Sequence, residues 1–271
     1  MYPPGLEGRV AVVTGVSRHR GIGCAIARKL VAAGAHVFLT HFRDHDLDQP
    51  WGADDLDAVV SEIRASAAPG VRIHHTAADL SDPGVIEPLL DRATDAFGHV
   101  DILVCNHAHS GSDGALLELD TTTLDVHWQV DARSVLLLTA AFARRHDGRT
   151  GGRVVWLTSG QQLGPMRREV AYATAKAALA GALPTVADEL LDRKILLNAV
   201  NPGPVNTGYL SPDTRDCDEE TLRAVLEAFP QKRFGEPDDP ARLIAWLVSD
   251  EGRWVVGQVI DSEGGFRRSR W

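Results

Sequence analysis

Short apolar runs rich in β-branched residues alternate along the chain with longer stretches in which apolar positions recur every three or four residues. The first kind reads as strand and the second as amphipathic helix. Strands are expected at 9–14, 36–40, 71–75, 101–105, 153–158, 195–200 and near 258–260, with helices at about 22–33, 54–67, 83–97, 121–145, 170–191 and 240–249. Runs such as Val10-Ala11-Val12-Val13 have no polar face to show water, which predicts a parallel sheet covered on both sides. Right-handed crossovers then make it an α/β, doubly wound sheet of seven strands in a single domain, 1–271. Two irregular stretches interrupt the alternation, 41–53 with Pro50 and Gly52, and 202–234 with Pro204, Pro212 and Pro230. Loops of this length inside a compact domain usually carry function.

Composition narrows the classes. The chain has 271 residues, 44% hydrophobic and 24% charged, enough for a large core and unlike a disordered or fibrous protein. Acidic residues outnumber basic ones 37 to 28, for a formal charge of -9, so neither nucleic acid nor an anionic membrane is an expected partner. Cys24, Cys105 and Cys217 lack paired spacing, which points away from a disulfide framework and toward a reducing, cytoplasmic setting. No apolar run reaches the roughly 20 residues a bilayer needs, and the start lacks a charged leader followed by an apolar segment, so a soluble protein is expected.

The first strand runs into Thr14-Gly15-Val16-Ser17-Arg18-His19-Arg20-Gly21-Ile22-Gly23, and an alanine-rich helix starts at once. Strand, glycine turn and helix N-terminus together present backbone N–H groups and a positive dipole end to a diphosphate. Gly15, Ser17, Arg18, Arg20, Gly21 and Ile22 are the candidate contacts; the bland alternative is an ordinary turn with packing glycines. Arg43 follows the second strand, where a dinucleotide presents its adenosine ribose, so a 2′-phosphate and hence NADP is favoured. If Asp44 instead holds the ribose hydroxyl, the cofactor is NAD. Asp79, followed by Leu80, is placed to accept from an adenine amino group or to cap a helix.

Farther on, the strand Val154-Val155-Trp156-Leu157 ends in Thr158-Ser159, and Tyr172-Ala173-Thr174-Ala175-Lys176 opens a helix. Residues four apart share a helix face. An ammonium held there favours the phenolate of Tyr172 and draws its pKa down from about 10. Hydride addition to a carbonyl leaves an alkoxide that needs a proton as it forms, and Ser159 would hydrogen-bond the same oxygen. Such a Tyr-Lys spacing also arises by chance on solvated helices; its order behind a glycine turn gives it weight.

Glycine turn, Asn106, Ser159, Tyr172 with Lys176, and Asn201-Pro202-Gly203-Pro204-Val205-Asn206-Thr207 follow one another as in the short-chain dehydrogenase/reductases, which this chain resembles over nearly its whole length. The tail, from Gly235-Glu236-Pro237 to Gly264-Gly265, is similar to the branch containing 3-oxoacyl-acyl-carrier-protein reductases. The resemblance implies a Rossmann-type fold and an oxidoreductase interconverting a ketone and a secondary alcohol on a small molecule. Tyr172 would be general acid/base, Lys176 would hold the nicotinamide ribose and tune that tyrosine, and Ser159 would orient substrate. Asn106, Pro202, Gly203, Val205 and Thr207 would line the nicotinamide site, and 204–234 would cover substrate. It also implies a homodimer or homotetramer built on the helices at 121–145 and 170–191.

Three departures stand out. Five residues separate Gly15 from Gly21, a longer and more basic turn than that family's. The family's Asn-Asn-Ala-Gly after the fourth strand is here Cys105-Asn106-His107-Ala108, and His107, His109 and Gln161 are expected to meet substrate. The family's helix asparagine, which holds a relay water near the lysine, aligns with Asp131, placed with the catalytic residues because a carboxylate there competes for the ammonium. Cys105, His107 and His109 alternate and would share one face of an extended strand, the geometry of a zinc site, but no metal is expected because the strand ends near Cys105. Arg167-Arg168-Glu169 meet an anionic substrate or form a solvated loop, and the acids of 213–220 read as a helix N-terminus. Two rival functions remain, a redox-neutral epimerase that keeps its dinucleotide bound and a non-catalytic dinucleotide sensor.

Overall fold

The computed structural model describes residues 5–211, 213, 214 and 218–268. Seven strands, β1 (Val10–Val13), β2 (His36–His41), β3 (Ile73–Ala77), β4 (Ile102–Cys105), β5 (Gly152–Leu157), β6 (Ile195–Asn201) and β7 (Val259–Asp261), form one sheet. Its order is β3-β2-β1-β4-β5-β6-β7 and every pairing is parallel, so the chain forms a single Rossmann-type domain as the alternation predicts. The order reverses between β1 and β4, and strand ends diverging there open the crevice in which such sheets bind ligands.

Alternate side chains of each strand enter opposite layers. Ala11 and Val13 pack with helices α1 (Ile22–Ala32), α3 (Leu56–Ala65) and α9 (Asp238–Val248). Val10 and Val12 pack with α4 (Ile86–Phe97), α6 (Ser134–Arg145) and α7 (Val170–Leu191). Trp156, fully buried on β5, joins the second layer through its indole N–H, which donates to Thr139 Oγ1 at 2.9 Å. Helix α7 is long and apolar enough, by length and composition alone, to cross a bilayer; here Leu179, Leu183, Ala187 and Leu190 bury one side of it against the sheet.

The irregular stretches hold two further helices, α2 (Arg43–Leu47), which sequence reading missed, and α8 (Glu219–Ala228), of which it read only the acidic start. Strand β3 begins two residues later than expected, since its register on β2 starts at Val37 opposite Ile73. The single helix expected at 121–145 divides into α5 (Thr121–His127), a π-helical turn (Trp128–Arg133) and α6. Inserted π turns recur at functional sites because they displace one residue from the regular ladder, and the residue at the centre of this one is Asp131.

Candidate active site

The glycine turn closes against the end of β4. Gly15 has φ +72°, and a Cβ on it would lie 2.8 Å from His107 Cα, so only glycine fits. A Cβ on Gly23 would lie 2.4 Å from the Gly15 carbonyl oxygen, which lets α1 start hard against the strand. Asn106 Nδ2 donates to the carbonyls of both Thr14 and Gly15 at 3.0 Å. No side chain caps Gly21 at the start of α1, leaving that end open toward the crevice for a diphosphate.

Of the basic residues in the turn, Arg18 points inward. Its guanidinium donates to the Thr207 carbonyl at 2.6 Å, pairs with Asp46 at 3.1 Å and lies over the Trp51 ring at 5.0 Å. Asp46, buried in α2, was not foreseen, because the helix that turns it inward was not. Arg20 and Arg43 are exposed, as is Asp44. Asp79 accepts from the Ser81 amide at 2.9 Å, a local turn, and Leu80 is buried in the core. Ser17 and Ile22 are half-buried beside the turn. Asn201 Nδ2 donates to Asp261 at 2.9 Å and to Glu263 at 2.8 Å while its oxygen accepts from the Gly203 amide. That clamp sets the path of Pro202 and Gly203, and Val205 is held by a bridge to Gly235.

His107 was expected at the substrate, yet both its ring nitrogens have protein partners. Ser134 donates its hydroxyl to the Val130 carbonyl at 2.6 Å, so its oxygen accepts from His107 Nε2–H at 2.7 Å. Nδ1 then accepts from the Thr14 hydroxyl at 2.7 Å, a tautomer assigned from this network. Burial, aided by the nearby Lys176 charge, pushes the His107 pKa down to about 4 and keeps the ring neutral. It is a joint between β1, β4 and the π turn. His109, also expected at the substrate, sits with its ring between those of His45 and His127, each 4.9 Å away, and burial pushes its pKa down to about 4. Cys105 is sealed in the core, its thiol pushed up to about 12 by burial, and among the described residues no cluster of metal-binding side chains converges.

Tyr172 stands at the third position of α7 with Lys176 one turn on, their separation 5.5 Å from ammonium to ring centroid. Lys176 is 1% exposed, donates to the Leu157 carbonyl at 3.1 Å and lies 3.9 Å from Asp131 Oδ1. Asp131 is fully buried and also accepts from the His109 amide at 2.8 Å, with His127 Nδ1 3.1 Å from its other oxygen. Burial above all raises the Tyr172 pKa, the Asp131 and Glu169 carboxylates raise it further, and a hydrogen bond with Ser159 works the other way. Burial lowers the Lys176 pKa while Asp131 opposes that shift. The carboxylate thus stabilises the ammonium and disfavours the phenolate, as expected for a like charge beside a phenol.

Other residues hold this geometry in place, Asp113 and Glu118 among them unforeseen in the sequence. Asp113 accepts from the Tyr172 amide at 2.8 Å and the Ala171 amide at 3.2 Å, so it caps α7 from 58 or more residues away. Arg168 forks onto Glu118 at 2.7 and 3.2 Å, tying down the loop before α7. Arg268 bonds Glu263 and lies over Gly160, where any side chain would meet its guanidinium, so the tail folds back on the loop carrying Ser159. Gln161, on the same loop, keeps both amide atoms buried without a partner among the described residues. Glu219 and Glu220 of the acidic run occupy the first turn of α8, capped by Asp218, as expected of a helix N-terminus; Cys217, Asp216 and Pro212 lie outside the described residues.

Comparison with known proteins agrees with this architecture. A family model described as "Enoyl-(Acyl carrier protein) reductase" matches residues 15–267. An uncharacterized oxidoreductase of Bacillus subtilis, YjdA, is 39% identical over 262 residues, covering 96% of this chain and 97% of that protein. The 3-oxoacyl-[acyl-carrier-protein] reductase FabG of Escherichia coli is 32% identical over 261 residues, with 96% and 97% coverage. A short chain dehydrogenase from Burkholderia cenocepacia, solved in complex with NADP, superposes with a TM-score of 0.81 at 34% identity, covering 96% of this chain and 98% of that one. Matched in sequence and fold from the glycine turn to the tail, the chain belongs to the short-chain dehydrogenase/reductase family and is an oxidoreductase.

Proposed function

We propose that the protein interconverts a ketone and a secondary alcohol on a small molecule, using NADP and Tyr172 as general acid/base. The observation that carries the reading is the meeting of Ser159, Tyr172 and Lys176: Ser159 hydrogen-bonds Tyr172, and Lys176 Nζ lies 5.5 Å from the Tyr172 ring centroid. The residues present fit a dinucleotide: no side chain caps the start of α1, and Gly15 and Gly23, where a Cβ would strike His107 and the Gly15 carbonyl, let the turn, that helix and β4 pack close enough for backbone N–H groups to meet a diphosphate. Gly15, Ser17, Gly21 and Ile22 would hold the diphosphate. Arg20 and Arg43 are the exposed cations nearest a 2′-phosphate, Arg18 would follow the diphosphate from its seat on Thr207, and Asp79 and Leu80 would border the adenine. Asn106, Pro202, Gly203, Val205, Thr207 and Lys176 would surround the nicotinamide end, which supplies or accepts the hydride when bound.

For the chain itself, reduction asks three things. Ser159 orients the carbonyl oxygen by hydrogen bonding, which strengthens as charge develops there. Tyr172 gives that oxygen its hydroxyl proton. Lys176 stabilises the phenolate left behind. The unpartnered amide of Gln161 suits a polar group on the substrate, and the segment 204–234, with α8, would cover it. The two free, buried thiols Cys24 and Cys105 suit a cytoplasmic enzyme, and a homodimer or homotetramer is the assembly proposed. The test is nicotinamide absorbance with NADPH or NADH and a panel of ketones, after affinities are read from tryptophan fluorescence. NADPH should be preferred, and Tyr172→Phe should lose on the order of 100-fold or more in kcat with dinucleotide affinity kept. A Tyr172→Phe rate within a few fold of the parent contradicts the reading, and product formed without net absorbance change would indicate an epimerase.

A further inference from the structure

Three histidine side chains from three separate parts of the chain stand in line behind the active site. His127, at the end of α5, is fully buried, with Nδ1 3.1 Å from Asp131 Oδ2. The ring of His109, on the loop after β4, lies 4.9 Å from that of His127, and the ring of His45, in α2, lies 4.9 Å beyond it. His45 is half-buried, so the line ends at the surface, where its Nε2 lies 3.3 Å from Ser110 Oγ. At the inner end, Asp131 Oδ1 is 3.9 Å from Lys176 Nζ, and the His127 ring meets Tyr172 edge-on at 6.1 Å. The Nε2 atoms of His109 and His127 are both buried without a hydrogen-bond partner among the described residues. A buried polar atom left unpaired costs free energy, and two on adjacent rings are poor packing unless something passes between them.

We infer that His45, His109 and His127 form a proton relay that connects solvent to the Asp131–Lys176 pair beside Tyr172. The relay rests on the reading of Tyr172 as proton donor. In reduction, one proton leaves the Tyr172 hydroxyl for the new alcohol oxygen. The Lys176 ammonium restores the phenol; the Asp131 carboxylate then takes a proton at Oδ2 from His127 Nδ1 and, by turning that oxygen to the amine, hands it on to Lys176. His127 takes a proton at Nε2 from His109 as it gives the one on Nδ1, His109 is replenished from His45 and solvent, and a turn of the His127 ring returns its proton to the Asp131 side. One proton enters for each alcohol formed, no relay group changes oxidation state, and oxidation runs the same transfers outward.

The charges around the line suit it. His127 faces Asp131, His109 and Tyr172; His109 faces His45, His127 and Asp131; His45 faces Asp46, Asp48, Asp131 and Arg18. The one carboxylate at the inner end attracts a proton toward the site. A proton on His127 also offsets the Asp131 charge that otherwise holds the Tyr172 hydroxyl away from ionisation. Relay and tuning are therefore one device.

The test compares His109→Phe, which keeps a ring in the stack but removes both nitrogens, and His109→Ala, which leaves space for free imidazole. In His109→Phe, kcat for a ketone found in the panel should fall about tenfold or more with KM within about twofold, and the deficit should widen as pH rises and protons become scarce. Imidazole in the buffer should restore much of the loss in His109→Ala. Parent-like kcat at every pH, or a loss that is uniform with pH and not restored by imidazole, would overturn the relay. A readout independent of turnover is ¹⁵N NMR of histidine-labelled, dinucleotide-free parent protein, in which the neutral form of His127 should carry its proton on Nδ1; a proton on Nε2 alone would break the line at Asp131. This measurement stands even if the variants do not fold. Tyr172→Phe separates the two readings: if it remains active the function is misassigned, whereas an inactive Tyr172→Phe beside an unaffected His109→Phe sinks the relay alone.

Discussion

Lys176 and Asp131 lie 3.9 Å apart with neither reaching solvent, and the proposed function has Tyr172 ionise beside both. Opposite charges at that separation, shielded from water, favour each other's ionised form. The same carboxylate opposes a phenolate. Asp131→Asn removes that opposition, lowering the Tyr172 pKa. When the alcohol is oxidised the phenolate is the base, and the rate falls as pH drops through the Tyr172 pKa. The acid limb of the oxidation profile should therefore move to lower pH; an unchanged limb or an alkaline shift would contradict the assignment. Ser159, Tyr172 and Lys176 were legible in the sequence because strand ending and helix spacing are local. His127 stands at that same spacing before Asp131, and it went unread because no motif marks the pair.

Helix α7 presents Tyr172 in its first turn, so the helix start fixes the phenol's position. Glu169, the residue at its N-cap, makes no side-chain cap, and Asp113 supplies one instead. Asp113→Ala should cost about 1 kcal/mol of stability, the usual value of a lost cap. It should lower kcat more than that loss explains, because the first turn frays with the phenol in it. Asp113→Asn, which keeps an acceptor, should recover most of the rate; equal kcat in Asp113→Ala and parent would show that the cap does not position Tyr172. Periodicity placed seven strands and most long helices, since burial on a sheet imposes it. It missed α2, where proline and glycine make the stretch read as loop, found α8 only through the acids at its start, and could not see a π turn inside an otherwise regular apolar pattern. Asp113 was hidden for another reason: its partners are 58 and 59 residues away.

The fold gathers neutral histidines at the strand ends, and that gives the entire protein a pH dependence. His107 is held neutral with a pKa of about 4, against about 6.5 in an unfolded chain. Between those values the unfolded chain binds more protons, so stability is fully present above about pH 6.5 and falls as pH drops toward 4, by up to about 1.4 kcal/mol per unit from this one ring. His109, with its pKa also pushed down to about 4, adds to the slope by less because its ring is only partly buried. Denaturant unfolding at neutral and mildly acid pH should show the loss, and His107→Gln should flatten it; stability constant or rising on acidification would contradict the buried neutral joint. A crystal structure with NADP+ bound would decide whether Tyr172 is a proton donor or a bystander. The reading predicts the phenol hydroxyl turned toward the nicotinamide, near enough that one carbonyl group could touch both. A hydroxyl directed away from that ring, too far for any substrate to span the gap, would contradict it.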